Sequence, residues 1–322
     1  MIKSGRMISG YLSCRQGGVA LILVIWMMVI LTALVTEFTY SMRTEVNIVR
    51  NFKEEEEAYQ LALGGIEQAK MELLSVQNEN EVYVNGEGVL IVGVDNTEPQ
   101  RTTELNKGRF TYTIMDEEGK LNLNSITDTQ LSKVLEDSGV PSEELDVIVD
   151  SVMDWRDTND LHRLNGAEED YYRSLDLPYS SSDGLFQAVE ELLMVKGMTN
   201  DILLGVKSES IDETEVEDAE ETLRGIIDIL TVFGTRGINV NTASREVLEA
   251  VLGPADADNI LMQRETGPVT AAVRGGKLTS AYFSIISIGE NQDGSIKRTV
   301  KTIVNKKGGK LKHVYWNDNV IG

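Results

Sequence analysis

The side chains best suited to chemistry lie in one run, Asp150-Ser-Val-Met-Asp154-Trp-Arg-Asp157-Thr-Asn159-Asp160, followed by Leu164-Asn-Gly-Ala-Glu168-Glu-Asp170. Asp157, Asn159, Asp160, Glu168 and Asp170 offer hard oxygen donors around a loop that follows a helix ending near Trp155. Calcium takes roughly six to eight oxygens, carboxylate and carbonyl, from flexible loops of this kind. The spacing does not follow the EF-hand pattern. A loop held by caps and Asx turns, with no ion, uses the same residues, and on sequence alone both readings stand. No catalytic set accompanies them. The single cysteine is Cys14, the only histidines are His162 and His313, and no phosphate-binding glycine loop is present.

The chain has 322 residues, 41% of them apolar, and a net charge of −22. Its length allows two ordinary domains. From Leu121 to Gly276 there are 32 acidic and 11 basic residues, so this block holds nearly all the excess charge. Such a surface argues against a nucleic-acid partner and for cation binding. If residues 1–18 are removed, no thiol remains, which excludes disulfides and cysteine metal sites.

Residues 1–18 carry Lys3, Arg6 and Arg15 and no acid; the next basic residue is Arg43. Between them, Val19 to Val35 is apolar except for Thr32. As helix, this run is about 26 Å long, at the short end of a membrane span. The charge asymmetry places the N-terminus in the cytoplasm and the bulk of the chain outside. A secretory signal would need a small-x-small site after the apolar run, which Thr36-Glu37-Phe38 does not supply. A lipoprotein signal would need the apolar segment before Cys14. A plain signal anchor fits. A type IV prepilin signal fits as well: Arg15-Gln-Gly-Gly18 precedes Val19-Ala-Leu21, with cleavage between Gly18 and Val19 and the helix retained. Prepilins usually carry glutamate at the fifth mature position, here Leu23. In a filament that acid neutralises the α-amino group of the next subunit within an apolar bundle, where an unpaired charge is expensive. Its absence suits a subunit at the filament tip.

Several elements must position these groups. Phe52, Tyr59, Ile66 and Leu73 recur every seven residues, with Ala62, Leu63 and Ala69 on the same face, predicting helix from about Val19 to Ser75. Glu54 to Glu57 reads as a solvated face, and Gly64-Gly65 as a weak point costing about 1 kcal/mol per glycine. Residues 76–107 read as loop with a strand near Val89–Val94, and Arg109–Met115 as a strand closed by a turn at Asp116–Gly119. Helices are predicted over Thr127–Ser138, Ser142–Trp155, Leu185–Val195, Glu220–Phe233 and Ala243–Leu252. Phe186–Thr199 and Ile238–Gly253 invite comparison with helix-hairpin-helix modules. The acids at Asp256 and Asp258 would repel phosphate, so packing units are the better reading. Ala281–Gly289 and Ser295–Asn305 alternate around a turn at Asn291–Gly294. Lys310–Trp316 adds a third strand, and Pro268–Leu278 reads as a return linker.

Taken in order, Gly18-Val-Ala-Leu21, the missing acid at Leu23, Ala62 with Gly65-Ile-Glu67, Gly119-Lys-Leu-Asn-Leu-Asn-Ser125, Asp154-Trp-Arg-Asp157, Arg163-Leu-Asn-Gly-Ala-Glu168, Glu190-Glu-Leu-Leu193, Gly197-Met198 and Ile238-Asn-Val-Asn-Thr242 resemble the protein K family of type II secretion systems, the large minor pseudopilins. The resemblance covers most of the chain. It implies an α+β fold: a pilin-like long N-terminal helix packed on an antiparallel sheet, with a large, mostly helical domain inserted in the sheet. The expected division is 1–18 leader, 19–40 transmembrane helix, 41–120 pilin-like helix and first strands, 121–276 acidic helical insertion with helix-hairpin-helix or SAM-like units, and 277–322 closing strands. The family further implies a non-enzymatic assembly role at the pseudopilus tip, with other minor pseudopilins and secreted substrates as partners. It implies cleavage after Gly18 by prepilin peptidase, N-methylation of Val19, calcium in the insertion, and a single-pass place in the inner membrane with the bulk periplasmic. Two other classes are a membrane-anchored DNA-uptake protein using the hairpin modules and a membrane-anchored enzyme.

Overall fold

The computed structural model describes residues 17–76, 82–93, 99–206 and 223–318; the predicted leader lies almost wholly outside them. Two compact units are present, residues 1–56 and 57–322. One helix, α1 (Gly17–Ser75), runs through the boundary. In the first unit every described side chain but Glu54 is exposed. Its apolar run from Val19 to Val35 is long and apolar enough to cross a membrane and is not buried anywhere. Phe52, which the seven-residue spacing placed on the packed face, is exposed as well.

In the second unit the remainder of α1 is amphipathic. Ala58, Ala62, Ile66, Ala69 and Leu73 are buried at i, i+4, i+8, i+11 and i+15, the stripe that faces a partner surface in a 3.6-residue helix. The strands in chain order are β1 (Val82–Val84), β2 (Leu90–Val92), β3 (Thr102–Leu105), β4 (Gly108–Asp116), β5 (Leu121–Asn122), β6 (Leu230–Thr231), β7 (Ile238–Asn239), β8 (Gly276–Lys277), β9 (Tyr282–Asn291), β10 (Lys297–Lys307) and β11 (Lys310–Asn317). Five of them form an antiparallel sheet in the order β11-β10-β9-β4-β3. Phe110, Tyr112 and Ile114 alternate on β4 and meet α1 together with Phe283, Ile285, Val300 and Val304.

The glycine pair in α1 does not break it, and its two members differ. A Cβ at Gly65 would stand 2.2 Å from Ser287 Oγ and 3.0 Å from the Phe110 ring, whereas one at Gly64 would meet only the Phe110 ring, at 3.6 Å. Gly65 therefore lets helix and sheet approach closely. Opposite it, a Cβ on Gly289 would fall 2.0 Å from the Ala58 carbonyl oxygen.

Strands β4 and β9 are neighbours in the sheet, yet 165 residues separate Asp116 from Tyr282. That intervening block is an insertion with its own core around Trp155, Tyr172, Phe186, Leu192 and Leu248. Its helices are α2 (Asp128–Asp137), α3 (Ser142–Arg156), α4 (Glu169–Arg173), α5 (Asn200–Leu204), α6 (Arg245–Leu252) and α7 (Pro254–Arg264). Thr127 closes the start of α2 with a reciprocal capping box to Gln130, and Ser244 caps α6. Thr242, two residues before it, donates to Asp116 Oδ2 at 2.6 Å.

Among the described residues, two predicted α-helices, Leu185–Val195 and Glu220–Phe233, do not form, for one physical reason. Phe186 N–H donates to Asn124 Oδ1 at 2.8 Å while Asn124 Nδ2 donates back to Phe186 O at 3.0 Å. This bracket ties up the backbone at 186, and only a short 3₁₀ turn, Val189–Met194, follows. Likewise Asn122 Nδ2 donates to Phe233 O at 3.1 Å, and β6 pairs in parallel with β5. The described part of 220–233 is therefore strand and turn. Propensity loses here to long-range side-chain hydrogen bonds.

The asparagines also reveal a repeat. In both Leu121-Asn-Leu-Asn124 and Ile238-Asn-Val-Asn241 the first asparagine accepts from the backbone N–H two residues on, at 2.8 and 3.0 Å. The second brackets a remote residue, Phe186 or Val269. Each motif then leads to two helices joined across a positive-φ glycine, Gly139 or Gly253. The helix-hairpin-helix partners are thus 121–156 and 238–264. Phe186–Thr199, predicted as one of them, is not a helix pair.

Candidate metal centre

Helix α3 presents Ile148, Val152 and Trp155 to the core, and this face carries Asp154 inward with it. Asp154 and Asp157 are three residues apart, so they lie on neighbouring positions across the last turn. The chain then loops out and returns at Glu168, which is buried just before α4. Carboxylate oxygens of Asp154, Asp157 and Glu168 come within 4.8 Å of one another. Two oxygens each about 2.4 Å from one calcium ion can stand no more than about 4.8 Å apart, so the set is the right size for a single ion.

Hydrogen bonding leaves this cluster unsatisfied. Asp154 Oδ1 and both oxygens of Glu168 are buried and have no hydrogen-bond partner among the described residues. Arg163 Nε stands 3.7 Å from Asp154 Oδ1, beyond a hydrogen bond. Burial first, and then the charges of Asp154, Asp157, Asp183 and Asp160, push the Glu168 carboxyl up to about 7. Burial likewise raises Asp154, against a hydrogen bond from the Arg163 backbone N–H. Buried acceptors without donors are costly, and a cation would satisfy all three. The residues present therefore fit the ion that the sequence suggested.

The loop itself is held by the turns that the alternative reading required. Asp157 Oδ1 accepts from Asn159 N–H at 3.0 Å, and Asn159 Oδ1 from Leu161 N–H at 3.1 Å. Asp154 Oδ2 accepts from Arg163 N–H at 3.0 Å and Asp150 Oδ2 from Asn165 N–H at 3.1 Å. Lys196 Nζ donates to the carbonyls of Asn165 and Gly166 at 3.1 and 3.0 Å. Turns and carboxylate cluster thus coexist.

Of the five residues singled out from sequence, Asp157 and Glu168 are in the cluster. Asn159 shapes the turn. Asp160 is exposed and adds only negative charge. Asp170 is exposed and bonds the N–H of Tyr171; two residues past Glu168 in a helical turn, it points away from it. The missed member is Asp154. Its signal was present in the three-residue spacing to Asp157 at a helix end.

A second set of carboxylates fastens the insertion to the sheet. The turn expected at Asp116–Gly119 is present as a short 3₁₀ turn, Glu117–Gly119, and it is buried. Asp116 Oδ2 accepts from Asn239 Nδ2, Thr242 Oγ1 and Ser280 Oγ at 2.9, 2.6 and 2.5 Å. Glu117 accepts from Thr231 Oγ1 at 2.6 Å, and Glu118 pairs with Lys277 and accepts from Thr235 N–H at 2.8 Å. The chain's exit at 116–118 and its return at 277–281 are thereby joined. Near the α6–α7 hairpin, Arg245 is paired with Glu249 and Asp258, an arrangement that does not favour a phosphate backbone.

Comparisons with known proteins agree with this architecture. A family model described as type II secretion system protein K matches residues 119–207. Type II secretion system protein K of Pectobacterium carotovorum subsp. carotovorum is 28% identical over 208 residues, covering 58% of this chain and 60% of its own length. A putative type II secretion system protein K of Escherichia coli K12 is 24% identical over 202 residues, with the same coverage. The matched region spans about three fifths of these curated relatives. A chain in the crystal structure of the GspK-GspI-GspJ complex from enterotoxigenic Escherichia coli superposes with a TM-score of 0.54 at 15% identity, over 87% of this chain and 99% of that one. With the matching block in the insertion and a similar fold around it, this chain is similar to protein K of type II secretion systems.

Proposed function

We propose that this chain is a minor pseudopilin at the tip of a type II secretion pseudopilus, supporting its assembly and protein export across the outer membrane. The observation that carries this reading is an unburied apolar helix that continues into a sheet interrupted by the protein K block. The chemistry is that of assembly, without catalysis. The helix from Val19 holds the subunit in the inner membrane with its N-terminus cytoplasmic and the remainder periplasmic. Prepilin peptidase cuts between Gly18 and Val19, and Val19 is then methylated. Leu23 stands where a filament subunit would pair its acid with the next subunit's α-amino group, so nothing stacks beyond this one. The named complex of a structural relative supports other minor pseudopilins as partners. The insertion caps the filament and meets secreted substrates. A calcium ion binds between Asp154, Asp157 and Glu168, tying the end of α3 to the start of α4. DNA uptake gains no support from the paired arginine at the α6–α7 hairpin.

Mass spectrometry of the mature N-terminus, in cells with and without prepilin peptidase, tests the reading. The expected product begins at Val19 only when the peptidase is present. An uncleaved leader in both cell types would overturn it.

A further inference from the structure

Between Asp157 and Glu168 the loop holds two leucines out to solvent, Leu161 at 80% and Leu164 at 93% exposure. A single exposed leucine needs no explanation. These two differ because the backbone beneath them is pinned. Leu161 N–H itself is bonded by Asn159, and the N–H groups on either side of Leu164, those of Arg163 and Asn165, are bonded by Asp154 and Asp150. Lys196 secures the following carbonyls. Neither leucine can retreat into the insertion core without breaking these bonds. Apolar side chains fixed in place before contact lose little conformational freedom on association, which is how interface hot spots work.

The surrounding charge says what they can contact. Asp160 immediately precedes the first leucine, and the loop's guanidinium, Arg163, is taken by Asp128 at 2.6 Å. The block as a whole is strongly acidic. An anionic bilayer would be repelled, and a second copy of the chain would bring the same charge. No hydrogen bond of the loop described above reaches α1 or the five-stranded sheet, so contact here leaves that part of the subunit free. We propose that Leu161 and Leu164 form an apolar knuckle that docks into a concave apolar socket, rimmed by lysine and arginine, on a partner protein. Because that partner is one met within the secretion system, the inference rests on the assembly role proposed above.

A benzophenone photocrosslinker placed at position 164 of the full chain, in membranes of the producing cell, tests it. A second variant carries the crosslinker at position 161, and a control carries it at position 52 on α1. Melting curves verify that each variant is folded. The expected result is an adduct from 164 and 161 mapped by mass spectrometry to an apolar segment bordered by lysine or arginine. Asp160→Lys should lower the yield at position 164 about tenfold, equivalent to about 1.4 kcal/mol. Adducts confined to lipid or to another copy of the chain would overturn the docking, as would none from 161 and 164 while position 52 still reports its partners. An unchanged yield in Asp160→Lys would overturn the basic rim. Silence at all three positions would overturn the assembly role and this inference with it.

Discussion

Gly166 packs so closely against Asp154 that a Cβ at position 166 would stand 1.9 Å from the Asp154 Oδ2 atom. That oxygen is not free to yield, because it already accepts from the backbone N–H of Arg163. The loop closes on the helix end only because residue 166 has no side chain. Gly166→Ala should therefore cost about 1–3 kcal/mol, as overpacking does, and should also disperse the three carboxylates. Thermal melting of the full chain in detergent, with and without calcium, reads both effects. An unchanged melting temperature with an intact calcium response would mean that Asp154 can move aside.

Calcium should raise the melting temperature of the full chain. At a free concentration one hundred times its dissociation constant the gain is about 2.7 kcal/mol. Glu168→Gln should abolish most of that gain by removing one charge from the cluster. Magnesium, which demands a tighter octahedral shell, should stabilise less at equal concentration. If neither calcium nor a chelator shifts the melt of the detergent-extracted protein, Asp154, Asp157 and Glu168 do not hold the ion.

The glycine pair of α1 should respond in opposite directions. Gly64→Ala meets only ordinary contact with Phe110, so the gain in helix propensity, up to about 1 kcal/mol, should appear as added stability. Gly65→Ala collides with Ser287 and should destabilise by about 1–3 kcal/mol. Urea unfolding of the two variants in parallel measures the difference; equal effects would show that helix and sheet can separate without loss.

Acid should loosen the base of the insertion through Glu118. Burial acts to raise this carboxyl, but hydrogen bonds from Lys277, Ala281 and Thr235, together with the Lys277 charge, outweigh it and hold the group below its ordinary value of 4.5. A carboxyl depressed by folding stabilises the protein above its unfolded pKa. That contribution is lost as pH falls through the folded value. The urea midpoint of the parent should thus fall more steeply below pH 4.5 than that of Glu118→Gln. At neutral pH the variant itself should be about 1–3 kcal/mol less stable, since Lys277 loses its carboxylate partner and keeps only the Thr235 hydroxyl. Parallel slopes for the two proteins would rule out Glu118 as a source of the acid sensitivity.

Local pattern carried much of the architecture. The apolar run from Val19, the 3.6-residue stripe from Ala58 to Leu73, the alternation of β4, and the β9–β10 hairpin each repeat at the period of their own backbone geometry, and such periods are visible in a single chain. Even so, Phe52 shared the stripe's spacing and proved exposed, because a repeat marks a face without saying where the surface it packs on begins.

Tertiary structure alone decided what was brought together over long distances. Asn124 suppresses a predicted helix by bonding Phe186, 62 residues away. The acids at 116–118, read only as a turn, became the buried junction because Ser280 and Lys277 return to them from the far end of the insertion. In the candidate metal centre, composition identified the acidic loop, yet not which acids converge. Asp154 joined and Asp170 did not, since that choice depends on the helix phase at both ends of the loop and on the core that turns α3 inward. Spacing along a chain records which side chains can share a face. Only the packing of that face determines which of them lose water and need a partner.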